Sequence, residues 1–543
     1  MFGLLCLAGL LVCTLAGDRH QNSSPSDRPA HDSRPTDHDH DHERVQLQPV
    51  HGRPTTARVS QCRELCFLLH NKCPDHVCFP NSTAYDAGQQ YWSRQQAVTT
   101  PTCRFMPNCA EQVSDAMVDI KTLRCPFAVK SGGHGAFQGA SNIPEGITID
   151  LSALNDLQVD HDNKITRTGT GNRWEDVYAK LDEMHLAVIG GRNGDIGVGG
   201  LTLGGGISFF SGSHGWACDN VANYQVVLAN GSIVHANPTT NPNLYFALRG
   251  GGNNFGIVTR MDLETFPQGP MWGGTVFYPR SANRSIINAF YWFNRNAAMD
   301  PRAHNYVAAV CFTGAECGIA NGYAYSQPVA NAPIFDNFTK IPYTTSTARI
   351  STLSNFTAEL KASQPPGFYQ AFWTLTVQND ESLLADILND IFYPAILPYV
   401  NTTENFVGTL AMQPITEAII QNFGKNGGNA LGVNGSQGPL VILNMDWQWS
   451  DPSAGPNILA TQRRIIDESR QLAERRGLGH PFLYQNYAYG SQDVFAGYGG
   501  ENRDRLEQVQ RDYDPDGVFT DLQPGYFKLR LRGGELSTGP GLW

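Results

Sequence analysis

The apolar and polar positions follow different patterns in different parts of the chain. Between residues 61 and 270, short apolar runs are separated by Gly-rich turns, which is typical of short strands. A helix is predicted where apolar side chains recur at helical spacing, at Trp174, Val177, Tyr178 and Leu181. The clearest strand predictions are Phe127-Ala128-Val129, Ile147-Thr148-Ile149-Asp150-Leu151 and Tyr224-Gln225-Val226-Val227-Leu228. This segment therefore mixes helices with short strands.

From residue 271 to 476, Gly becomes rarer and aromatic residues more frequent. The clearest pattern is a strand from Val441 to Trp449, in which apolar and polar residues alternate. Its polar face, which we expect to be exposed to solvent, carries Asn444, Asp446 and Gln448. A helix is predicted to follow and to end near Gly477, with its apolar face formed by Ile458, Ile465, Ile466 and Leu472. Residues 477–530 return to loops rich in Tyr, Gly and Asn, so we expect them to lie with the first domain, and residues 531–543 are predicted to form a tail.

The first 17 residues form an apolar run that ends in small residues and is followed by a polar segment. The run is too short to span a bilayer, and it predicts a cleaved signal peptide, although it lacks Lys and Arg before the apolar part. The alternative is a buried N-terminal helix. Residues 18–60 are rich in Pro, Ser, Asp and His and predict a disordered leader. We interpret the run from His38 to His42 as part of this solvated tract rather than as a metal site.

The composition supports a folded protein. The 543 residues are 41% hydrophobic and 16% charged, which is too apolar for a disordered chain and long enough for two domains. The net charge of −11 argues against nucleic-acid and anionic-membrane partners, because both bind clustered Lys and Arg.

The cysteines fit export to an oxidising compartment. Ten remain after the signal peptide, an even number that allows complete pairing. Zinc binding is the competing interpretation for the spacings Cys62-x3-Cys66 and Cys73-x4-Cys78. Six of these are expected to form disulfides at the N-terminal edge, namely Cys62, Cys66, Cys73, Cys78, Cys103 and Cys109. The connectivity stays open. Eight N-glycosylation sequons also fit a secreted protein, at Asn22, Asn81, Asn230, Asn283, Asn337, Asn355, Asn401 and Asn434.

Three Gly-rich loops carry the candidate chemistry, at residues 129–135, 197–206 and 249–258. Consecutive backbone N–H groups in such loops bind phosphates, because Gly has no Cβ to hold the phosphate away. A Rossmann site is disfavoured, because its helix would have to run through Gly204-Gly205-Gly206 and the strict glycine spacing is not met. The loops therefore predict a phosphate-bearing cofactor, and Gly-rich turns without a ligand are the alternative.

The order of these motifs resembles a known family. Lys130-Ser131-Gly132-Gly133-His134, the loop from Gly197 to Gly206 and Asn254-Phe255-Gly256-Ile257-Val258-Thr259 look like the vanillyl-alcohol-oxidase type of FAD-binding domain. Tyr484-Gln485-Asn486-Tyr487 is similar to a C-terminal motif of the berberine-bridge-enzyme-like oxidoreductases, particularly their secreted fungal members. The resemblance covers about residues 61–270 and 480–530. It implies an α+β fold with a two-lobed FAD-binding domain and an α/β substrate domain that contains a large antiparallel sheet.

The resemblance also implies roles for individual residues. His134 stands where the family attaches FAD covalently, and a neutral imidazole is a competent nucleophile for that reaction. Many relatives carry a second link from a cysteine, but this chain has Asn193 at that position, so we predict a single covalent link. The residues expected to meet the pyrophosphate are Ser131, Gly132, Gly133 and Gly135, and those expected to line the cofactor are Gly199, Gly200, Gly204 and Ile257.

For catalysis, Tyr487 matches the tyrosine that acts as a base in several relatives, and Tyr484 is a second candidate. An unperturbed phenol, with a pKa of about 10, is a poor base near neutral pH unless positive charge or hydrogen bonds stabilise the phenolate. For both tyrosines, the alternative interpretation is a buried aromatic residue with a structural role only. Asn486 is expected near the flavin edge. Some relatives use a glutamate from the middle sheet, but the corresponding stretch here, residues 428–432, has no carboxylate. Possible substrate-wall residues are Phe368, Tyr369, Phe372 and Trp373.

These observations predict a secreted FAD-dependent oxidoreductase. It would oxidise an alcohol, amine or activated C–H centre of a small molecule by hydride transfer to flavin, with reoxidation by molecular oxygen. The alternative is a secreted ligand- or glycan-binding glycoprotein on a degenerate flavoenzyme scaffold. A cytosolic NAD-dependent dehydrogenase is disfavoured by the predicted signal peptide and the cysteine density.

Overall fold

The computed structural model of the protein describes residues 56–529. The predicted signal peptide, the tail and most of the predicted leader lie outside the described residues, as do Asn22 and the run from His38 to His42. The last residues of that leader are helical, because the first described helix begins at Thr56 and continues to Lys72.

The described residues form three β-sheets. The first is a small four-stranded sheet of order β1-β2-β4-β3, in which β2, β4 and β3 are parallel and β1 is antiparallel to β2. Its strands are β1 (Val77–Cys78), β2 (Cys103–Phe105), β3 (Phe127–Lys130) and β4 (Ile147–Asp150). The first Gly-rich loop follows β3 directly.

The second sheet has six strands and is antiparallel. Its order is β5-β6-β10-β8-β9, and β7 pairs with the far end of β10. The strands are β5 (Leu157–Asp160), β6 (Ile165–Gly169), β7 (Leu186–Val188), β8 (Val221–Val227), β9 (Ile233–Ala236) and β10 (Ile257–Pro267). The second Gly-rich loop lies between β7 and β8, and the third leads into β10.

The third sheet has nine strands and is antiparallel, of order β14-β11-β13-β12-β17-β18-β16-β19, with β15 paired to β11. The strands are β11 (Met271–Pro279), β12 (Ala303–Phe312), β13 (Gly318–Tyr325), β14 (Thr345–Ser346), β15 (Arg349–Ser351), β16 (Tyr369–Gln378), β17 (Val407–Ile415), β18 (Leu440–Trp449) and β19 (Gly479–His480). The predicted mixture of helices and sheets, including a large antiparallel sheet, is confirmed.

Sixteen α-helices accompany these sheets in the described part of the chain. They are α1 (Thr56–Lys72), α2 (Thr83–Gly88), α3 (Arg94–Ala97), α4 (Ala110–Leu123), α5 (Trp174–Asp182), α6 (Val198–Leu203), α7 (Ser211–His214), α8 (Pro242–Leu248), α9 (Asn283–Asn296), α10 (Asp336–Thr339), α11 (Leu353–Ser363), α12 (Glu381–Asp386), α13 (Tyr393–Thr402), α14 (Glu417–Asn422), α15 (Gly455–Arg475) and α16 (Gly500–Tyr513). The predicted helices correspond to α5, which buries all four of its predicted apolar residues, and α15, which ends two residues before Gly477.

One continuous helical segment, Glu381–Thr402, is long and apolar enough to cross a membrane by length and composition alone. It comprises α12, a π-helical stretch at Ile387–Phe392 and α13. Leu383, Phe392 and Ile396 pack into the hydrophobic core beside the third sheet. A buried core helix of this kind passes the same length and composition test.

The cysteine pairing differs from the sequence prediction. The described residues form three disulfides, Cys62–Cys125, Cys66–Cys103 and Cys311–Cys317. The pairing is not complete, because Cys73, Cys78, Cys109 and Cys218 are free thiols. Of the six N-terminal cysteines expected to form disulfides, only Cys62, Cys66 and Cys103 do so, and the partner of Cys62 is Cys125, which follows α4 in the chain.

Candidate active site

The first and second Gly-rich loops cross at a backbone-to-backbone contact between Gly132 and Gly197. A Cβ placed on Gly132 would lie 2.3 Å from the Gly197 nitrogen, and one placed on Gly197 would lie 2.2 Å from the Gly132 nitrogen. Neither position accepts a side chain without movement of backbone. The two loops therefore form one surface, although 64 intervening positions separate the two glycines in the sequence.

Ser131 connects this surface to the third loop. Its Oγ accepts a hydrogen bond from the Gly199 N–H, 3.2 Å away, and donates one to the Thr170 carbonyl, 2.5 Å away. The Thr170 hydroxyl in turn donates to the carbonyl of Val258, which follows Ile257. Ile257 itself is buried in the hydrophobic cluster around the first sheet. Gly200 differs from these neighbours, because no atom lies within 4 Å of a Cβ placed there.

The second loop also meets the C-terminal segment. The Asn486 amide donates to the Leu201 carbonyl, 2.9 Å away, and a Cβ on Gly204 would overlap the Asn486 side chain. The Tyr484 hydroxyl accepts hydrogen bonds from the N–H groups of Gly206 and Ile207, both 3.1 Å away. The helix α6 ends before these glycines, which agrees with the exclusion of a Rossmann site.

Two buried cations lie beneath the first loop and share one carboxylate. The ammonium of Lys130 is 3.1 Å from the Asp150 carboxylate, and the guanidinium of Arg104 is 3.2 Å from the same oxygen. The cluster therefore holds more positive than negative charge at the base of the loop. That charge balance favours an anionic group above the loop, such as a pyrophosphate.

His134 lies at the end of this surface with one ring nitrogen unused. The indole ring of Trp92 stacks on its imidazole, with 4.2 Å between centroids and 11° between planes. The Nε2 atom of His134 is buried and has no hydrogen-bond partner. Burial lowers the pKa of His134 to about 4, so the imidazole is neutral at physiological pH. A neutral imidazole with a free nitrogen has the chemistry of a nucleophile.

Trp92 links His134 to the nine-stranded sheet through Gln364. Its indole N–H donates to the Gln364 carbonyl, 3.1 Å away. The Gln364 side chain accepts a hydrogen bond from Asn193 at 2.9 Å and donates one to Asp446 at 3.0 Å. Gln364 therefore joins the loop that carries Asn193 to the polar face of β18.

Tyr487 faces a cation. The Nη2 atom of Arg192 donates to the Tyr487 hydroxyl, 2.8 Å away, and its Nη1 atom is 3.0 Å from Nε2 of His304. Burial and the adjacent guanidinium hold the pKa of His304 well below its usual value, so its Nε2 accepts the hydrogen bond. The guanidinium also lies over the ring of Tyr306, 5.2 Å from its centroid. The predicted condition for a phenolate base, positive charge at the phenol oxygen, is thus met at Tyr487.

Tyr484 is in a different environment. It is buried, its ring stands edge-on to that of Tyr487 at 4.8 Å, and burial raises its pKa above the usual value. Its hydroxyl oxygen already accepts two backbone hydrogen bonds. These contacts fit a residue that positions the second loop.

The four aromatic residues predicted for the substrate wall do not share one face of the nine-stranded sheet. Phe372 lies at the site, 5.4 Å from Trp92 and 6.0 Å from Tyr487 between ring centroids. Trp373 points to the opposite face, where it stacks on Tyr489 within the hydrophobic core, so its placement in the wall is wrong. The ring of Tyr369 stacks on Trp449, and Phe368 pairs through its backbone with Ser93.

The polar face of β18 is not exposed to solvent, in contrast to the sequence expectation. Asn444 is buried, and Asp446 and Gln448 are half-buried. Asp446 pairs directly with Phe372 across the strands, which puts it on the face that meets the Gly-rich loops. Burial raises its pKa to about 7, and only the hydrogen bond from Gln364 opposes that shift. The polar face of β18 is therefore covered by the segment that carries Gln364, whose side chain contacts Asp446.

The structure therefore brings together His134, Ser131, the Gly-rich loops, Tyr484, Asn486 and Tyr487. Sequence reasoning missed Arg192, Trp92 and Gln364, whose partners lie far away in the chain. The residues fit a flavin dinucleotide. A Cβ on the loop glycines Gly132, Gly197 and Gly204 would clash. The charge beneath the loops is positive, and His134, whose Nε2 is buried without a partner, belongs to the first loop. In the described residues, no group of three or more His, Cys, Asp and Glu side chains is arranged to hold a metal ion.

Comparisons with known proteins agree with this chemistry. Residues 101–237 match the model of the FAD binding domain family. The FAD-dependent monooxygenase tpcD of Cochliobolus heterostrophus is 37% identical over 515 residues, which cover 89% of this chain and 98% of that protein. The bifunctional solanapyrone synthase of Alternaria solani is 30% identical over 468 residues, which cover 86% of this chain and 88% of that protein.

Among solved structures, the BBE-like 1 protein of Physcomitrella patens covers 86% of this chain and 99% of its own, with a TM-score of 0.69 and 20% identity. The xylooligosaccharide oxidase of Myceliophthora thermophila covers 88% of this chain and 100% of its own, with a TM-score of 0.68 and 21% identity. These structures show the same fold. Since relatives that are 37% and 38% identical over more than four fifths of the chain are FAD-dependent monooxygenases, the protein belongs to this family of fungal FAD-dependent oxidoreductases.

Proposed function

We propose that the protein is a secreted oxidase that holds FAD through a single covalent bond from His134 and oxidises a small organic molecule. The observation that carries the proposal is the unpartnered Nε2 atom of a neutral His134 beside the Gly-rich loops. A buried nitrogen without a partner is costly, and a bond to a cofactor removes that cost.

The loops supply the remaining contacts to the cofactor. Ser131, Gly132, Gly133 and Gly135 bind the pyrophosphate, above the positive charge of Lys130 and Arg104. The open side of Gly200 and the neighbouring Gly199 and Gly204 line the dinucleotide, and Asn486 lies near the flavin edge. When bound, FAD supplies the hydride acceptor for the reaction.

A single link follows from the cysteine positions. Asn193 occupies the position of the second link, and its amide is hydrogen-bonded to Gln364. Burial raises the pKa of the nearest cysteine in the chain, Cys218, well above its usual value, so its thiol stays protonated and unreactive.

Tyr487 removes the proton from the substrate O–H or N–H group. The Arg192 guanidinium donates to the phenol oxygen at 2.8 Å and stabilises negative charge that forms there. Phe372 holds the apolar part of the substrate beside this phenol. Asp446 is a second acid–base candidate on the same side of β16, because its carboxyl group titrates near neutral pH.

The electron acceptor and the compartment complete the proposal. Relatives named monooxygenases use molecular oxygen, and we infer that oxygen also reoxidises the flavin here, with release of hydrogen peroxide. Export is supported by the disulfides and by the exposed position of most described sequons. A ligand-binding role without catalysis has less support, because the relatives that match along nearly the whole chain are enzymes.

The cofactor proposal is tested by acid precipitation of the purified protein. Yellow flavin should remain in the precipitate of the wild type and appear in the supernatant of His134→Ala. Release of free flavin from the wild type would contradict covalent attachment.

The catalytic proposal is tested by anaerobic bleaching of the flavin with a panel of alcohols, amines and phenols. Tyr487→Phe should slow bleaching by about 100-fold or more, since general-base catalysis contributes about 10²–10⁴-fold. The exposed Tyr343→Phe is the matched control and should bleach like the wild type. Equal rates in Tyr487→Phe and wild type would exclude Tyr487 as the base.

The electron acceptor is tested by measuring the hydrogen peroxide formed per oxygen consumed. An oxidase gives a ratio of one, and a monooxygenase gives a lower ratio.

A further inference from the structure

The guanidinium of Arg192 is buried without a carboxylate partner. The side chain keeps only 9% of its surface exposed. Its polar contacts are the phenol of Tyr487 and the imidazole of His304, and it forms no ion pair with any other described residue. Buried charges in proteins are normally paired, because removal of a charge from water is costly. An unpaired buried cation therefore indicates a missing anion.

The neighbours of Arg192 cannot supply that anion in the resting protein. His304 is a neutral imidazole, as described above. Burial raises the pKa of Tyr306, so the phenol under the guanidinium stays protonated. Asp195, the nearest carboxylate in the sequence, is paired instead with Arg173 and with Lys361, whose ammonium is 3.4 Å away. While the Tyr487 phenol keeps its proton, every group that contacts the guanidinium is therefore neutral.

Arg192 also has hydrogen-bonding capacity left over. A guanidinium carries five N–H donors in a fixed fork, and two of its nitrogens, Nη1 and Nη2, contact protein groups here. Such a fork matches the two oxygens of a carboxylate or the single oxygen of a phenolate or enolate. An uncharged hydroxyl group can be bound by a neutral amide donor. A site for such a group would therefore not require a buried cation, which is costly.

Aromatic rings surround the same position. Tyr306 lies under the guanidinium, and the ring of Phe209 is 5.8 Å from that of His304. Phe372 stands edge-on to Tyr487 at 6.0 Å. An anion bound by Arg192 would therefore lie among aromatic rings.

We propose that Arg192 binds an acidic oxygen of the substrate, a carboxylate, phenolate or enolate carried on an aromatic or other flat apolar body. This inference rests on the proposed function, because it places the substrate beside Tyr487. Arg192 then has two roles. It selects anionic substrates, and it donates a hydrogen bond to the Tyr487 phenol that abstracts the proton. Uncharged sugars would not satisfy the cation.

The test compares benzoate with benzamide, which have the same shape and differ in charge. Binding of each to the holoenzyme at pH 7 is measured by calorimetry and by the change in flavin absorbance. Benzoate should bind at least tenfold more tightly than benzamide, and this ratio should fall to about one in Arg192→Met. Tyr487→Phe should keep the preference, because the cation remains. Arg464→Gln, which removes an exposed arginine on α15, should also keep it.

The wild-type ratio tests the proposal even where Arg192→Met does not fold. A ratio near one in wild type, or no binding of benzoate by calorimetry, would overturn it. A preserved preference in folded Arg192→Met would overturn it as well, because another group would then be selecting the anion. Failure of the proposed function would be seen differently, as free or absent flavin in the same preparations. Calorimetry would still measure the ratio of benzoate to benzamide affinity in those preparations.

Discussion

The indole of Trp92 lies flat on the imidazole of His134, and the same indole donates its N–H to the Gln364 carbonyl on the chain that enters the nine-stranded sheet. One tryptophan therefore touches the residue proposed to carry the cofactor and also the segment that precedes β16. The contact removes one face of His134 from water, which is a reason for its low pKa. It also fixes the plane in which Nε2 lies.

Trp92→Ala should slow covalent attachment of FAD. Stacked aromatic pairs contribute about 0.5–1.5 kcal/mol, so loss of the ring should slow attachment by about 2- to 10-fold. The time course of in-gel flavin fluorescence after mixing apoprotein with FAD measures the rate. Trp92→Phe keeps a ring without the N–H and is the matched control.

The pH dependence separates positioning from a general loss of structure. In wild type the pKa of about 4 keeps His134 neutral, so attachment should be constant from pH 7 down to about 5. In Trp92→Ala the exposed imidazole should return toward its ordinary pKa of about 6.5, and attachment should slow as the pH falls from 7 to 5. Parallel pH profiles in the two proteins would mean that Trp92 has no effect on His134.

Alanine substitutions at three glycines should have three different outcomes. Gly132→Ala should lower thermal stability strongly, because its Cβ would lie 2.3 Å from the Gly197 backbone. Gly200→Ala has open space around its Cβ, so the apoprotein should keep its melting temperature but bind less FAD. Gly269→Ala also has open space, lies between β10 and β11, and should change neither property. Normal FAD content in Gly200→Ala would show that the open side does not face the cofactor.

Asp446→Asn should become progressively more stable than wild type as the pH rises. The pKa of Asp446 is raised by burial from 3.8 to about 7, so the folded state binds its proton more tightly than the unfolded state. The stability that this group contributes is complete below pH 4 and is lost as the pH rises through 7. Asparagine carries no such dependence, so the difference in melting temperature between variant and wild type should widen by about 2–4 °C between pH 5 and pH 8.

The control for this measurement is Asp451→Asn. Asp451 is exposed, and hydrogen bonds from Ser453 lower its pKa, so its carboxylate is charged throughout that pH range. Its melting temperature relative to wild type should not change between pH 5 and 8. The same constant difference in Asp446→Asn would show that Asp446 does not titrate near neutrality.

Asn283 should carry no glycan when the protein is produced through a eukaryotic secretory pathway. Its side chain is buried, accepts a hydrogen bond from Tyr393 and donates one to Asn389, so a glycan would disrupt the fold. The other described sequons are exposed, at Asn81, Asn230, Asn337, Asn355, Asn401 and Asn434. Enzymatic deglycosylation followed by peptide mass spectrometry should find modification among these six positions. A substantial glycan on Asn283 of folded protein would contradict this prediction.

The sequence was informative where a pattern is local. The spacing of Trp174, Val177, Tyr178 and Leu181 predicted α5, and the alternation along β18 identified its apolar face correctly. The Gly-rich loops predicted a phosphate-bearing cofactor, because phosphate binding by backbone requires glycine at defined positions. The resemblance of the ordered motifs to a known family then implied FAD. Cysteine counting was less reliable, since an even number does not require that every thiol finds a partner.

The sequence by itself therefore determined the elements, the cofactor class and the position of His134 within its loop. Only the tertiary structure decided which groups surround these residues. Arg192 and Tyr487 are 295 residues apart, and Trp92 and Gln364 are 272 residues apart. It also decided that the polar face of β18, including Asp446, meets the Gly-rich loops instead of solvent. The physical reason is that periodicity records whether a side chain is covered, whereas the partner that covers it depends on how distant elements pack.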